Sequence, residues 1–175
     1  MTDPTPLNTP AADPPPNWHE TRALIRSDVE RALRHLGVTG WQQRWYAKVQ
    51  PAFVGLLSYR LARHLYLNDW RRSARLLSLV SLWTTRVEIP PTSAIGPSCL
   101  ICHSGGVIFY GRAGARLTMM GHCGTGGGLG EEDIGGGPGY PVLGDDVTLG
   151  QWAAVLGPVR VGHGVRVGPA SVVMR

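Results

Sequence analysis

A chain of 175 residues with 43 % hydrophobic and 17 % charged side chains is apolar enough to bury a core, which excludes a disordered polymer. Its formal net charge of +5 is uneven: residues 1–92 hold 12 Lys and Arg against 7 Asp and Glu, and residues 93–175 hold 5 against 5. The 24 glycines and 14 prolines require many turns, and three cysteines, an odd number, argue against a disulfide framework.

Residues 1–16 are Pro-rich, with no basic start and no apolar run, so they are expected to form a disordered lead and not a signal peptide. Asn17-Trp-His-Glu20 then has the spacing of a helix N-cap and its capping-box partner. Ile25, Val29, Leu33 and Leu36 recur at helical spacing until Gly37. After Pro51 a second helical pattern carries Val54, Leu57, Leu61 and Leu65 on one stripe, and Asn68-Asp69 breaks it. A third pattern runs from Trp70 to about Thr85. Residues 17–86 are therefore expected to be a helical domain. Its arginines lie inside amphipathic patterns and read as a solvated face, with no nucleic-acid role. His19, His35 and His64 read as exposed or capping residues. The longest apolar run, Leu76–Trp83, is far too short to span a bilayer, and a reducing cytoplasmic setting is the expectation.

At Ile89-Pro-Pro91 the period changes. From Pro141 the chain divides into sixes: PVLGDD, VTLGQW, AAVLGP, VRVGHG, VRVGPA and SVVMR. Their third places are Leu143, Leu149, Val155, Val161, Val167 and Val173. Upstream the same phase fits Ile95, Ile101, Val107, Ala113 and Met119. Such a repeat supplies one short strand and one turn per hexad, and three hexads close one triangular coil around an aliphatic axis. Between Gly126 and Tyr140 the repeat fails, and this Gly-rich, acidic stretch, residues 127–140, is expected to be an extended loop. The fold class is thus α+β, a helical region followed by a parallel β-helix over residues 87–175.

The stretch CLICHSGGV, residues 99–107, contains the C-x-x-C-H spacing of haem attachment. Haem attachment needs an exposed helix start outside the cytoplasm, which this context lacks. Cys99 holds the inward register of Val147 and Val159 and reads as a small core residue. A zinc site from Cys99, Cys102, His103, His122 and Cys123 is disfavoured by an eighteen-residue coil. That period places Cys123 above Gly105, Gly121 above His103 and His122 above Ser104.

From Trp18 to Arg175 the chain resembles the hexapeptide-repeat acyltransferases, in particular the serine acetyltransferase branch. The resemblance rests on PAFVGLLSYRLARHLY, EIPPTSAIGPSCLICHSGGVIF, CGTGGG and the hexads ending ASVV. It implies a left-handed β-helix, a homotrimer or dimer of trimers with its site between subunits, acetyl-CoA as donor and no metal. It also implies a catalytic His in H-x-G-G, matched by His103. An acidic residue before the first coil holds that imidazole in the family; Glu88 matches it, with Glu where the family usually has Asp. Gly126 and Gly127 would let the pantetheine arm approach the backbone. Gln151 and Pro169 match turn positions that line the donor groove, and Arg166 is a candidate partner for a CoA phosphate.

The departures fall on the acceptor side. Where the family has an Asp that helps to bind the serine amine stands Cys102. Tyr140 precedes Pro141 where the family has His, Gly121 replaces a Gln, and His122 lies beside the expected site. The stretch after H-x-G-G is two residues short of the family pattern. The family's C-terminal tail, which binds the next enzyme of cysteine synthesis, has no counterpart, so that partnership is not expected. The expected activity is O-acetyl transfer from acetyl-CoA to a small hydroxylated acceptor, with a sugar or polysaccharide as the alternative acceptor and a non-catalytic scaffold as a third reading. Without a carboxylate at 102, free serine is expected to be a poor acceptor.

Overall fold

The computed structural model describes residues 15–38, 40, 41, 45, 48–128 and 130–174. Residues 1–14 of the expected lead lie outside the described residues. Helix α1 spans Trp18–His35 and begins with the expected capping box. Asn17 Oδ1 accepts from the Glu20 amide at 2.9 Å, and Glu20 Oε2 accepts from the Asn17 amide at 2.9 Å. Two of the amides left free at a helix start are thereby satisfied. Gly37, at φ +61°, turns the chain away at the other end.

Helix α2, Pro51–Leu67, buries a different face from the one expected. Val54, Leu57, Leu61 and Leu65 are only partly buried; Ala52, Leu56 and Tyr59 enter the core, with Gly55, Arg60 and Ala62 beside them. Two causes reverse the pattern. A Cβ on Gly55 would lie 2.8 Å from Val87, so only glycine lets the helix approach so closely. The polar ends of Tyr59 and Arg60 are satisfied by the coil: Tyr59 donates to Ser93 O at 3.0 Å, and Arg60 to Gly96 O at 2.7 Å.

Helix α3, Arg71–Thr85, buries Ala74, Ser81 and Thr85 and turns Leu76, Leu79, Val80 and Trp83 outward. Trp83 is 83 % exposed. Among the described residues no helix is long and apolar enough to cross a membrane.

Among the described residues thirteen short strands follow: β1 (Val87–Glu88), β2 (Ala94–Ile95), β3 (Leu100–Ile101), β4 (Val107–Phe109), β5 (Arg112–Ala113), β6 (Thr118–Met119), β7 (Gly124–Gly126), β8 (Val142–Leu143), β9 (Thr148–Leu149), β10 (Ala154–Leu156), β11 (Arg160–Val161), β12 (Arg166–Val167) and β13 (Val172–Met174). They form three parallel sheets, in the orders β1-β4-β7-β10-β13, β11-β8-β5-β2 and β12-β9-β6-β3. Ile95 and Ala113 are partners, as are Ile101 and Met119, eighteen residues apart in each case. Ala113 and Leu143 pair across the extended loop. The axial rows read Ile95–Ala113–Leu143–Val161, Ile101–Met119–Leu149–Val167 and Phe109–Thr125–Val155–Val173.

The third row departs from the expected hexad phase. Phe109, not Val107, continues the row of Thr125, while Val107 pairs with Val87 below it. Both side chains are fully buried. Two extra residues are therefore accommodated between Ile101 and Phe109, and two fewer lie between Phe109 and Ala113. The short return needs Gly111: at φ +118°, a Cβ there would meet the Pro141 carbonyl oxygen at 2.3 Å. The extra length forms the loop that carries His103.

The helices and the first coils share one core. At their junction Arg60 Nε donates to Asp28 Oδ2 at 2.8 Å, both side chains being 2 % exposed. Asp28 Oδ1 also accepts from the Cys99 amide at 2.8 Å. Arg31 donates to Leu117 O at 2.8 Å and to Thr118 Oγ1 at 2.6 Å.

Candidate active site

His103 sits at the start of the lengthened loop before β4, with its side chain exposed. A Cβ on Gly121 would lie 3.2 Å from His103 Cβ, so Gly121 stacks over His103 as expected. The next residue does not follow the expected register. The His122 amide donates to Gly105 O at 2.6 Å, and its ring lies against Gly105 and Gly106, not above Ser104. Cys123 is displaced likewise, its carbonyl accepting from the Ile108 amide, so it neighbours Val107 and not Gly105. The two-residue slip of the loop is the cause of both shifts. Among the described residues no three His, Cys, Asp or Glu side chains are grouped to hold a metal ion.

Above His122 lies a residue that the sequence reading missed. Trp152 stacks on the His122 ring, with centroids 4.0 Å apart and an interplanar angle of 3°. Trp152 and Gln151 stand at one corner of the coil, and Pro169 and Ala170 at the same corner one coil further on; the Ala170 amide donates to Gln151 O at 2.8 Å. One column thus carries His103, Gly121–His122, Gln151–Trp152 and Pro169–Ala170. Trp152 has φ +64°, uncommon for an aromatic residue, and shares this αL conformation with His122 and Ala170 at the same corner, a feature visible only in the folded chain.

The other expected residues gather at the opposite end of β4. Tyr110 donates to Glu88 Oε1 at 2.6 Å. Its ring stacks on Tyr140, with centroids 5.4 Å apart. The Tyr140 ring packs against Gly127, where a Cβ would lie 3.1 Å away. The hydrogen bond to Glu88, then partial burial, pushes the Tyr110 phenol up to about 12. Glu88 is thus bonded to Tyr110 within the chain, and the His103 ring has no hydrogen-bond partner among the described residues. Gly126 lies on β7 near Leu156, next to Thr125, which bonds Tyr110, and Arg166 is exposed on β12. The extended loop is folded: Asp133 Oδ1 accepts from the Gly135 and Gly137 amides at 2.7 and 3.1 Å, and Arg112 Nε donates to Gly135 O at 3.1 Å.

A cavity of about 850 Å³ opens beside His103. Its floor is Cys102, His103, Ser104 and Gly105, and its walls come from the end of α1 and the start of α2. Cys102 Sγ lies 3.9 Å from His35 Nε2. All three cysteines are free; Cys99 and Cys123 are buried and Cys102 is half-buried. Burial pushes the Cys99 and Cys123 thiols up to about 12 and raises that of Cys102, with Arg31 opposing in Cys102. A thiol reagent at about pH 8 is expected to label Cys102 alone in the folded protein, and Cys99 and Cys123 only on unfolding. Counting labelled thiols by mass, with Cys102→Ser as control, checks this; a folded protein that labels at Cys99 or Cys123 contradicts the burial described.

A three-sided parallel coil fused to helices, with an imidazole beside a cavity at one corner, defines the left-handed β-helix of the hexapeptide-repeat proteins. No family model matches the chain. It is 36 % identical over 126 residues to the serine acetyltransferase of Helicobacter pylori, matching 71 % of this chain and 71 % of that one. It is equally 36 % identical to those of Synechococcus elongatus and Mycobacterium tuberculosis, over 71 % of this chain in each case. The chain covers 50 % and 54 % of those two proteins, about half their length. Among solved structures, serine acetyltransferase 1 of Entamoeba histolytica superposes with a TM-score of 0.75 at 24 % identity, over 90 % of this chain and 61 % of that one. A serine acetyltransferase in complex with CoA superposes with a TM-score of 0.75 at 20 % identity, over 89 % and 63 %. The chain belongs to the serine acetyltransferase family.

Proposed function

We propose that this chain is an O-acetyltransferase, moving an acetyl group from acetyl-CoA to a hydroxyl of a small acceptor in the manner of serine acetyltransferases. The observation that carries the reading is His103, exposed at the floor of a cavity on a loop two residues longer than the repeat requires. A neutral imidazole there takes the acceptor's hydroxyl proton as the oxygen attacks the thioester carbonyl. The tetrahedral oxyanion needs donors, which backbone amides near Gly105-Gly106 supply. Collapse expels the CoA thiolate, and the imidazolium returns the proton to it.

The column above His103 supports a donor path along Gln151 and Pro169, with the indole of Trp152 as an additional wall. Gly126, Gly127 and Tyr140 border the other end of β4, and Arg166 is kept as the phosphate partner. Glu88 enters the reading through Tyr110, whose phenol it holds beside Tyr140. The two groups lie at opposite ends of one strand, which supports a site completed between subunits. The outward apolar stripe of α3 supports self-association into a homotrimer or a dimer of trimers. Three free cysteines support a reducing, cytoplasmic setting.

The test is an acceptor screen with acetyl-CoA that follows thiol release, with light scattering on the same sample. The expected result is acceptor-dependent CoA release by an assembly of three or six chains. A strictly monomeric protein with full activity overturns the assembly, and absence of transfer to any hydroxyl compound overturns the activity.

A further inference from the structure

We propose that the acceptor is an uncharged alcohol with an apolar body, held in the cavity between α1, α2 and His103; this rests on the O-acetyl-transfer reading above. The cavity walls present Leu36, Val38, Pro51 and Phe53, with Leu100 and Ile101 behind the floor. Among the described residues no carboxylate lines it. The stretch that forms its walls offers none either: from Arg31 to Asn68 the sequence has no Asp or Glu.

Glu30 is exposed on α1, and two further acids of the surrounding elements are committed elsewhere. Asp28 is bonded to Arg60 and to the Cys99 amide, and Glu88 to Tyr110. An ammonium group entering this cavity would leave water with no counter-charge among the described lining residues. Cys102, at the floor, offers a thiol, a weak hydrogen-bonding group that packs as a small hydrophobe. The polar groups that remain are His35, Gln50 and Ser104. They suit one neutral amide or hydroxyl beside the reacting oxygen. Apolar surface on the acceptor then gains the contact with Leu36 and Phe53 that a free amino acid does not supply.

The test compares L-serine, glucose and a series of N-acyl-L-serinamides with acetyl, butyryl and hexanoyl groups, at saturating acetyl-CoA. The kcat/KM for the butyryl compound is expected to exceed that for L-serine by roughly 100-fold, the cost of an unpaired buried charge in a partly hydrated site. It is expected to rise from acetyl to butyryl. Phe53→Ala is expected to lose roughly 10-fold on the butyryl compound with the KM for acetyl-CoA unchanged. Cys102→Asp is expected to shift the preference towards serine.

A second readout needs no turnover. N-butyryl-L-serinamide is expected to slow labelling of Cys102 by a thiol reagent, and L-serine at the same concentration is not. Serine or glucose as the best acceptor overturns the proposal, as does protection of Cys102 by serine but not by the acyl compound. Absence of CoA release with every acceptor overturns the transfer reading instead, and the labelling arm still decides what the cavity holds.

Discussion

His103→Ala is expected to remove acetyl transfer, with kcat falling by a factor of about 10² to 10⁴, the range for loss of a general base. The fold supplies the reason to expect a clean result. The imidazole is exposed and makes no hydrogen bond with the described residues, so its loss opens no core cavity and strands no buried partner. Its Cβ lies under Gly121, and alanine keeps that atom. Thermal stability and the mass of the assembly are therefore expected to be unchanged, and CoA binding by calorimetry is expected to persist. Steady-state thiol release measures the rate. Turnover within a few-fold of the wild type would remove His103 from its assigned role.

Arg60→Leu is expected to cost about 3–5 kcal/mol of stability, because it leaves Asp28 as an uncompensated buried acid. Burial pushes the Asp28 carboxyl up, and the guanidinium opposes that push; without Arg60 only burial remains. The substitution also strands the Ile95 and Gly96 carbonyls, which the guanidinium satisfies. Against a total of about 5–15 kcal/mol for a typical domain, the loss is large. A melting temperature lower by about 10 °C is the expected readout for a chain of this size. The double variant Asp28→Asn/Arg60→Leu is expected to be less destabilised than Arg60→Leu alone, since no charge is then stranded. A shift under about 2 °C in the single variant would mean that the pair contributes little to docking the helices on the coil.

Much of the architecture was legible in local pattern. The capping box at Asn17 and Glu20 is a four-residue event whose partners are close in sequence, so residue identity at two positions suffices. Most of the axial rows were legible because a hexad places an aliphatic residue against its neighbours one coil away, eighteen positions where no loop intervenes and thirty across the extended loop. The extended loop was legible as the place where that pattern stops.

The candidate site was legible in residue type more than in contact. The α3 pattern reveals an apolar stripe, but helical periodicity does not say which side faces solvent; contacts with α2 put Ala74, Ser81 and Thr85 inside. The hexad phase through His103 failed because Val107 and Phe109 are both apolar and two apart. A slip of two keeps inward residues inward, so composition cannot detect it. The register of His122 and Cys123 was lost with it.

What the sequence by itself determined was the repeat, the helices and the identity of His103, since each is set by side chains within a few residues or at a fixed period. Only the tertiary structure decided the partners that come from far along the chain. Glu88 meets Tyr110, 22 residues away, because β1 and β4 lie side by side. The cavity at His103 takes its walls from α1 and α2, some fifty to seventy residues earlier, because the buried Asp28–Arg60 pair and the Tyr59 hydroxyl seat those helices against the first coil. Such contacts are settled by long-range packing and by the need to satisfy buried polar groups, and no local periodicity encodes them.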